Sequence, residues 1–245
     1  MASLYLVDSL DGVAVGDPVS LDGAEGRHAV SVARVRVGEV LRIADGRGTV
    51  VSGPVTALGK DTLELAVETV EHQDAPRPSL TLVQALAKGG RDEMAVQAAT
   101  EIGVDRVVPW SAARSVSRWD GAKVEKGRAR WAAIAHEAAK QAIRPRVPVV
   151  APLVTTGQLV SALGDGTTLV LLDPTATVRL ATWEPPTDAE DIALVVGPEG
   201  GIDGAELDRL EAAGAVRVRL GDSVLRTSTA GPAALAVLQA RLGRW

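Results

Sequence analysis

Apolar and polar positions along the 245 residues follow two different rhythms. Up to Ala75 the apolar residues come in short alternating runs, Val40-Leu41-Arg42-Ile43-Ala44, Thr49-Val50-Val51 and Thr62-Leu63-Glu64-Leu65-Ala66-Val67, with turn residues such as Asp45-Gly46-Arg47-Gly48 between them. Successive side chains of a strand point to opposite faces, so alternation of this kind predicts half-buried strands, and their short spacing predicts a small β-barrel. The polar stretch Glu71 to Pro78 carries two prolines and predicts a boundary, dividing a domain over residues 1–74 from one over 78–245.

From Leu80 onward the rhythm changes. Apolar runs of strand length at Leu80–Leu86, Arg106–Pro109, Thr168–Leu172, Ile192–Val196 and Val216–Leu220 alternate with segments of helical period. The helices are expected at Arg91–Ile102, Lys123–Ile143, Ala205–Ala213 and Ala230–Leu242. Strands that read as continuous apolar runs and alternate with helices predict a parallel α/β sheet. Asp203 followed by Glu206 has the spacing of a capping box, and Gly214 is placed to end the helix it opens.

Composition adds constraints. Hydrophobic residues make up 46% and aromatics 2%, with no Phe, so the core must be built from aliphatic side chains. Without a cysteine, neither a disulfide framework nor a thiolate nucleophile is available. His28, His72 and His136 are scattered without metal-ligand spacing, and no metal is expected. No run approaches the roughly 18 apolar residues of a membrane span, and no basic leader precedes an apolar stretch. A cytoplasmic protein is expected.

The net charge of −5 is unevenly spread, and binding to a polyanion depends on local potential rather than on the total. Met1 to Ala75 carry six Lys/Arg against twelve Asp/Glu, whereas Ala112 to Val147 carry nine against three.

Two segments carry the candidate chemistry. In the first, the apolar run Leu194-Val195-Val196 leads into Gly197-Pro198-Glu199-Gly200-Gly201 and then the expected helix start at Asp203. Ligands of open α/β sheets bind at such carboxyl strand ends, and glycines let main-chain groups come close to them. A tight turn with no ligand is the alternative. In the second, Leu220-Gly221-Asp222-Ser223-Val224-Leu225-Arg226-Thr227 again joins a strand end to a helix, and could form the other wall of one pocket. Taken alone, Thr227 is a helix cap and Arg226 a surface charge. Neither Gly-x-x-x-x-Gly-Lys-Ser/Thr nor Gly-x-Gly-x-x-Gly follows an expected strand, which argues against P-loop and dinucleotide folds.

These two segments resemble the carboxy-terminal signatures of SPOUT methyltransferases, and more narrowly those of the ribosomal RNA small subunit methyltransferase E family. Further blocks resemble that family in order: Ala87-Lys88-Gly89-Gly90-Arg91-Asp92-Glu93, Ala99 to Val104, Ala113-Arg114-Ser115-Val116, Arg130-Trp131 and Glu137 to Gln141, with His28, Arg34 and Asp45 to Gly48 before them. The chain departs from the family at Ser31, at Ala142-Ile143 and at Ser228.

The resemblance implies a PUA-like β-barrel in front of an α/β methyltransferase domain closed by a trefoil knot. It implies S-adenosyl-L-methionine as cofactor, held by Leu172, Gly197, Pro198, Glu199, Gly200, Gly201, Leu220, Gly221, Leu225, Arg226 and Thr227. It further implies a homodimer acting on N3 of a uridine in 16S ribosomal RNA, within the small subunit. Arg226 is the candidate for stabilising charge on the base, and Glu199 is either a general base or a loop-holding carboxylate. His28, Arg34, Lys88, Arg91, Arg114, Arg130, Arg144 and Arg146 are the candidate RNA contacts, though cations at such spacing also make ordinary solvated faces. Two rivals stay open: a SPOUT enzyme acting on a ribose 2′-hydroxyl or a guanine, and a non-catalytic RNA-binding or assembly protein of the same fold.

Overall fold

The computed structural model describes residues 4–245. Their contacts divide them into two compact units, one formed by the chain up to Ala75 together with Ala139–Val147, the other by Pro76–Ala138 and Pro148–Trp245.

The first unit contains β1 (Leu4–Leu6), β2 (Pro18–Leu21), α1 (Gly23–Arg27) running into a π-helical turn at His28–Val32, β3 (Val40–Ala44), β4 (Thr49–Leu58), β5 (Leu63–Ala66) and β6 (Thr69–His72). The sheet order is β1-β3-β4-β5-β2, with β6 paired to β4. Strands from both ends of that order share one core of Tyr5, Leu21, Ile43, Val51, Leu63 and Leu65, so the sheet curls around its apolar face.

Two expectations change here. The polar stretch at 71–78 is not all linker, because Thr69–His72 pairs with Thr49–Ser52 in the sheet. The division into contiguous domains also fails at 139–147. There Ile143 and Val147 pack on Leu4, Leu6, Ala44 and Val50, while the amides of Gly48 and Val147 donate to Pro145 and Gly46 carbonyls.

The second unit contains β7 (Ser79–Ala85), α2 (Arg91–Ile102), β8 (Arg106–Ser111), α3 (Ala122–Gln141), β9 (Val149–Val150), β10 (Val154–Thr155), α4 (Thr156–Leu163), β11 (Thr167–Leu172), β12 (Asp191–Val196), α5 (Gly204–Ala212), β13 (Val216–Val218) and α6 (Thr227–Arg241). The helix expected to reach Ile143 ends at Gln141, where Ile143 turns to a left-handed φ of 55°. Every pairing in this sheet is parallel, in the order β10-β8-β7-β12-β11-β13, with β9 beside β8.

Period two along β12 sorts its residues between two cores. Ile192, Leu194 and Val196 join the cluster made with Val96, Trp131 and Leu235, while Ala193 and Val195 join the one made with Leu159, Leu171 and Leu210. Burial on both faces explains why this strand reads as an unbroken apolar run. Among the described residues no helix is long and apolar enough to cross a membrane.

The capping box of α5 forms as its spacing predicts: the Ala205 amide donates to Asp203 Oδ1 at 3.0 Å and the Asp203 amide to Glu206 Oε2 at 3.3 Å. Glu206 does more than cap. Its Oε1 also accepts the Ala113 amide at 2.9 Å and the Thr156 hydroxyl, so one buried carboxylate joins α5, the end of β8 and α4. Replacing it by Ala leaves these donors without an acceptor. Glu206→Ala is expected to lower the unfolding free energy by about 1–3 kcal/mol in urea titration.

Candidate active site

The sheet order places β12 between β7 and β11, while β13 lies on the far side of β11. The chain leaving β12 must therefore pass across β11 to reach β13, and it then returns to start α6, which packs on α2, β12 and β7. Strand order reverses in this region, and ligand crevices of parallel sheets form at the carboxyl ends of strands flanking such a switch point. A cavity of about 680 Å³ lies there, within the roughly 300–1,000 Å³ usual for small-molecule sites.

Three strand ends supply its walls: Leu172 to Thr175 after β11, Val196 to Glu199 with Gly201 and Ile202 after β12, and Val218 to Gly221 with Ser223 to Thr227 after β13. Of the expected cofactor contacts, Leu172, Gly197, Pro198, Glu199, Gly201, Leu220, Gly221, Leu225, Arg226 and Thr227 line the cavity. Gly200 does not. The Arg114 side chain lies over it, with Nη1 donating to the Gly200 carbonyl at 3.1 Å and Nη2 paired to Asp203 at 3.0 Å. Of the three glycines in this turn only Gly201 takes a positive φ, 71°. Gly197 is needed for space instead, since a Cβ there would lie 2.8 Å from Ile202 Cγ1 and 3.0 Å from the Ile202 nitrogen.

Thr227 is not a capping side chain. Its hydroxyl donates to the Gly197 carbonyl at 2.8 Å and accepts from Gln84 Nε2, also at 2.8 Å. This bridge ties the first residue of α6 to the end of β12 and to β7. Gln84 is fully buried and its Oε1 has no partner among the described residues. Neither Gln84 nor the Asp173 network was apparent in the sequence, because both rest on partners far along the chain. Asp173 accepts the Thr175 amide at 2.8 Å and Arg217 Nε at 2.9 Å. Burial pushes its carboxyl up, but the Thr175 amide and the Arg217 guanidinium outweigh this and hold it below the ordinary value.

Glu199 is committed. Its Oε1 accepts from Arg91 Nη1 at 3.0 Å and from the Lys88 amide at 3.2 Å. Burial acts to raise its pKa, yet its own amide, the Lys88 amide and Arg91 together hold it below the usual carboxylate range. An acid so stabilised in its ionised form is a weak proton acceptor, which counts against the general-base reading and for the loop-holding one. Arg226 differs: exposed at the N-cap of α6 and in the cavity wall, its guanidinium has no partner among the described residues. The main-chain amides of Leu220, Gly221 and Leu225 likewise donate to no described group.

The expected RNA contacts fall in both units. In the first, His28 opens the π-helical turn, Arg34 has a left-handed φ of 56°, and Arg146 donates to the Gln73 carbonyl at 3.0 Å. Arg144 belongs to the same unit, its amide donating to the Ala139 carbonyl at 2.8 Å. In the second, Arg91, Arg114 and Arg130 are held in ion pairs with Glu199, Asp203 and Glu93, and the Lys88 ammonium has no described partner.

Comparison with known proteins gives a consistent result. Residues 74–239 match the family model described as RNA methyltransferase domain, and residues 21–68 the one described as RNA methyltransferase PUA domain. The chain is 41% identical to a Ribosomal RNA small subunit methyltransferase E of Mycobacterium bovis, across 100% of this chain and 94% of that protein. Its identity to the protein of that name from Bacillus subtilis is 31%, over 89% and 88% of the two chains. The crystal structure of a Ribosomal RNA small subunit methyltransferase E from Neisseria gonorrhoeae bound to S-adenosyl methionine is 28% identical and matches 98% of each chain with a TM-score of 0.87.

The Glu199–Arg91 pair has a defined pH signature. A carboxyl whose folded-state pKa is depressed contributes stability above its ordinary value, here 4.5, and that contribution is lost as pH falls through the lower folded value. Arg91→Ala is expected to move the Glu199 titration toward 4.5 in a carbon-13 carboxylate experiment, and to close the stability gap from the wild-type chain on acidification.

Proposed function

The chain belongs to the ribosomal RNA small subunit methyltransferase E family, and on that premise we propose that it transfers the methyl group of S-adenosylmethionine to N3 of a uridine in 16S ribosomal RNA. The observation that carries this reading is the convergence of three strand ends on one cavity that combines apolar walls with main-chain amides and the Arg226 guanidinium, which have no partner among the described residues.

The residues present suit the cofactor. Leu172, Val218 and Leu220 offer an apolar slot, and the amides of Leu220, Gly221 and Leu225 offer main-chain donors to its polar groups. The Cβ-free approach at Gly197 keeps the floor of the loop close to Ile202. When bound, S-adenosylmethionine supplies an electrophilic methyl group on a sulfonium, so the chain contributes alignment and charge stabilisation rather than a covalent nucleophile.

Arg226 carries the second task. Loss of the N3 proton leaves negative charge on the uracil ring, and a guanidinium, always protonated, stabilises that charge without acting as a base. Glu199 acts as a positioning residue that holds Lys88 and Arg91 against the glycine turn, and the proton passes to solvent.

The remaining features follow the same reading. The first unit serves as a PUA-like RNA-binding part, and the second as a SPOUT domain whose carboxy-terminal segment forms a trefoil knot. The pairing of Arg219 with Val178 and Leu180, together with the return of α6 to β12 and β7, supports that threading. A homodimer is supported by Val224 and Leu225, apolar and 79% and 38% exposed beside the cavity. The substrate is the small subunit or its RNA, in the cytoplasm.

Mass spectrometry of 16S RNA from cells lacking this protein tests the target: one 3-methyluridine should disappear, and loss of a ribose or guanine methyl group instead would overturn the assignment. Arg226→Ala is expected to reduce methyl transfer by roughly 100-fold or more in a radiolabelled assay while calorimetric binding of S-adenosylmethionine persists.

A further inference from the structure

Beside the cavity at the strand ends lies a second one of about 380 Å³, walled by Lys88, Gly89, Val116, Trp119, Arg130 and Trp131. We propose that this cavity binds one nucleotide of the substrate RNA next to the one that is methylated, its base against the Trp119 indole and its phosphate on Lys88 and Arg130. The proposal rests on the RNA methyltransferase reading above and deepens it.

The aromatic wall is built rather than incidental. In a chain with 2% aromatic residues the core is aliphatic, yet Trp119 is only half-buried and stands in a concave surface. It is fixed from two sides. Trp131, 1% exposed, meets it edge-on with centroids 5.1 Å apart, and Gly127 of α3 lies so close that a Cβ there would come within 2.4 Å of the indole. A ring already immobilised loses little freedom when a base stacks on it, and stacking accepts any base because each has a π-face.

The cations are placed in the same wall. Arg130 is gripped by Glu93 through two contacts, Nε to Oε1 at 2.5 Å and Nη2 to Oε2 at 2.7 Å, which leaves its Nη1 donors without a described partner. Pairing with a carboxylate fixes the fork and keeps it available to a phosphate oxygen. The Lys88 ammonium has no described partner, while its amide is anchored to Glu199. Asp92, 5% exposed, holds the turn shut by accepting the Ala87 amide at 3.0 Å and the Glu93 amide at 2.9 Å.

The same turn is the partition between the two cavities. Lys88, Gly89 and Gly90 line the second, Arg91 lines the first, and Glu199 of the first cavity accepts from both Lys88 and Arg91. A strand with one base in the first cavity has its neighbour beside the second. An indole face with flanking cations is the chemistry of single-stranded RNA recognition, in which unstacked bases are received one by one.

The test uses full-length protein with unmethylated small subunits and with a synthetic RNA hairpin carrying the target uridine. Trp119→Leu should raise the RNA KM by about 10-fold or more, the loss of one stacked base. The turnover number should stay within about 2-fold, as for an interaction formed equally in ground and transition states. Trp119→Phe should restore KM. Val116→Glu, which leaves the tryptophan packing untouched at a residue 72% exposed, should raise KM as well. A hairpin with an abasic site at one flanking position should lose the same factor with the wild-type chain and nothing with Trp119→Leu.

Wild-type KM for both Trp119→Leu and Val116→Glu sinks the subsite, as does an effect seen with subunits and absent with the hairpin, which would point to a protein contact. If the wild-type chain methylates no RNA, the enzymatic reading fails separately, and equilibrium binding of the two hairpins to wild-type and Trp119→Leu protein still decides the subsite.

Discussion

One hydroxyl holds the candidate active site in register. Thr227 donates to the carbonyl of Gly197 and accepts from Gln84, so the first residue of α6, the turn after β12 and the adjoining strand β7 are joined at a point buried from solvent. A hydrogen bond in this setting contributes modestly in net terms but is costly to leave unmade, which makes the junction intolerant of slippage. The loop from Arg219 to Arg226 then has both ends fixed, one by β13 and one by Thr227. Between those ends it lines the cavity.

Around that junction the charges are arranged by commitment. Glu199 and Asp173 are each held by an amide and an arginine that keep their carboxyls below the ordinary range, and Glu206 by amides and a hydroxyl, so all three shape loops. Arg226, in the same wall, has no side-chain partner among the described residues. Chemistry that needs a stabilised negative charge, and no buried base, is consistent with this division of labour. The second cavity follows the same logic: Glu93 and Asp92 spend their acceptors on Arg130 and on the turn, leaving an indole and two cations toward solvent.

Both periodicities were legible in the chain. Val40–Ala44 and Arg91–Ile102 form where alternation and helical spacing place them, and the Asp203–Glu206 box closes as its interval requires. The short elements were not: β1, β2, the π-helical turn at His28, β9, β10 and α4 are too brief or too mixed in pattern for a period to emerge. The fate of Ala139–Val147 was equally hidden, because a left-handed Ile143 and an apolar contact to Leu4 and Leu6 depend on partners more than a hundred residues away.

The linear order of residues was sufficient to determine a parallel α/β sheet, a β-rich leading segment, two glycine- and polar-rich strand ends and, through resemblance, the family. Those properties are local, set by side-chain period, turn chemistry and motif spacing. Tertiary structure alone decided that the two strand ends share one cavity with the end of β11, that Gly200 is covered by Arg114, that Glu199 is tied to Lys88 and Arg91, and that Trp119 faces a concavity. These are relations between residues distant in the chain, and strand order, which no local pattern encodes, is what brings them together.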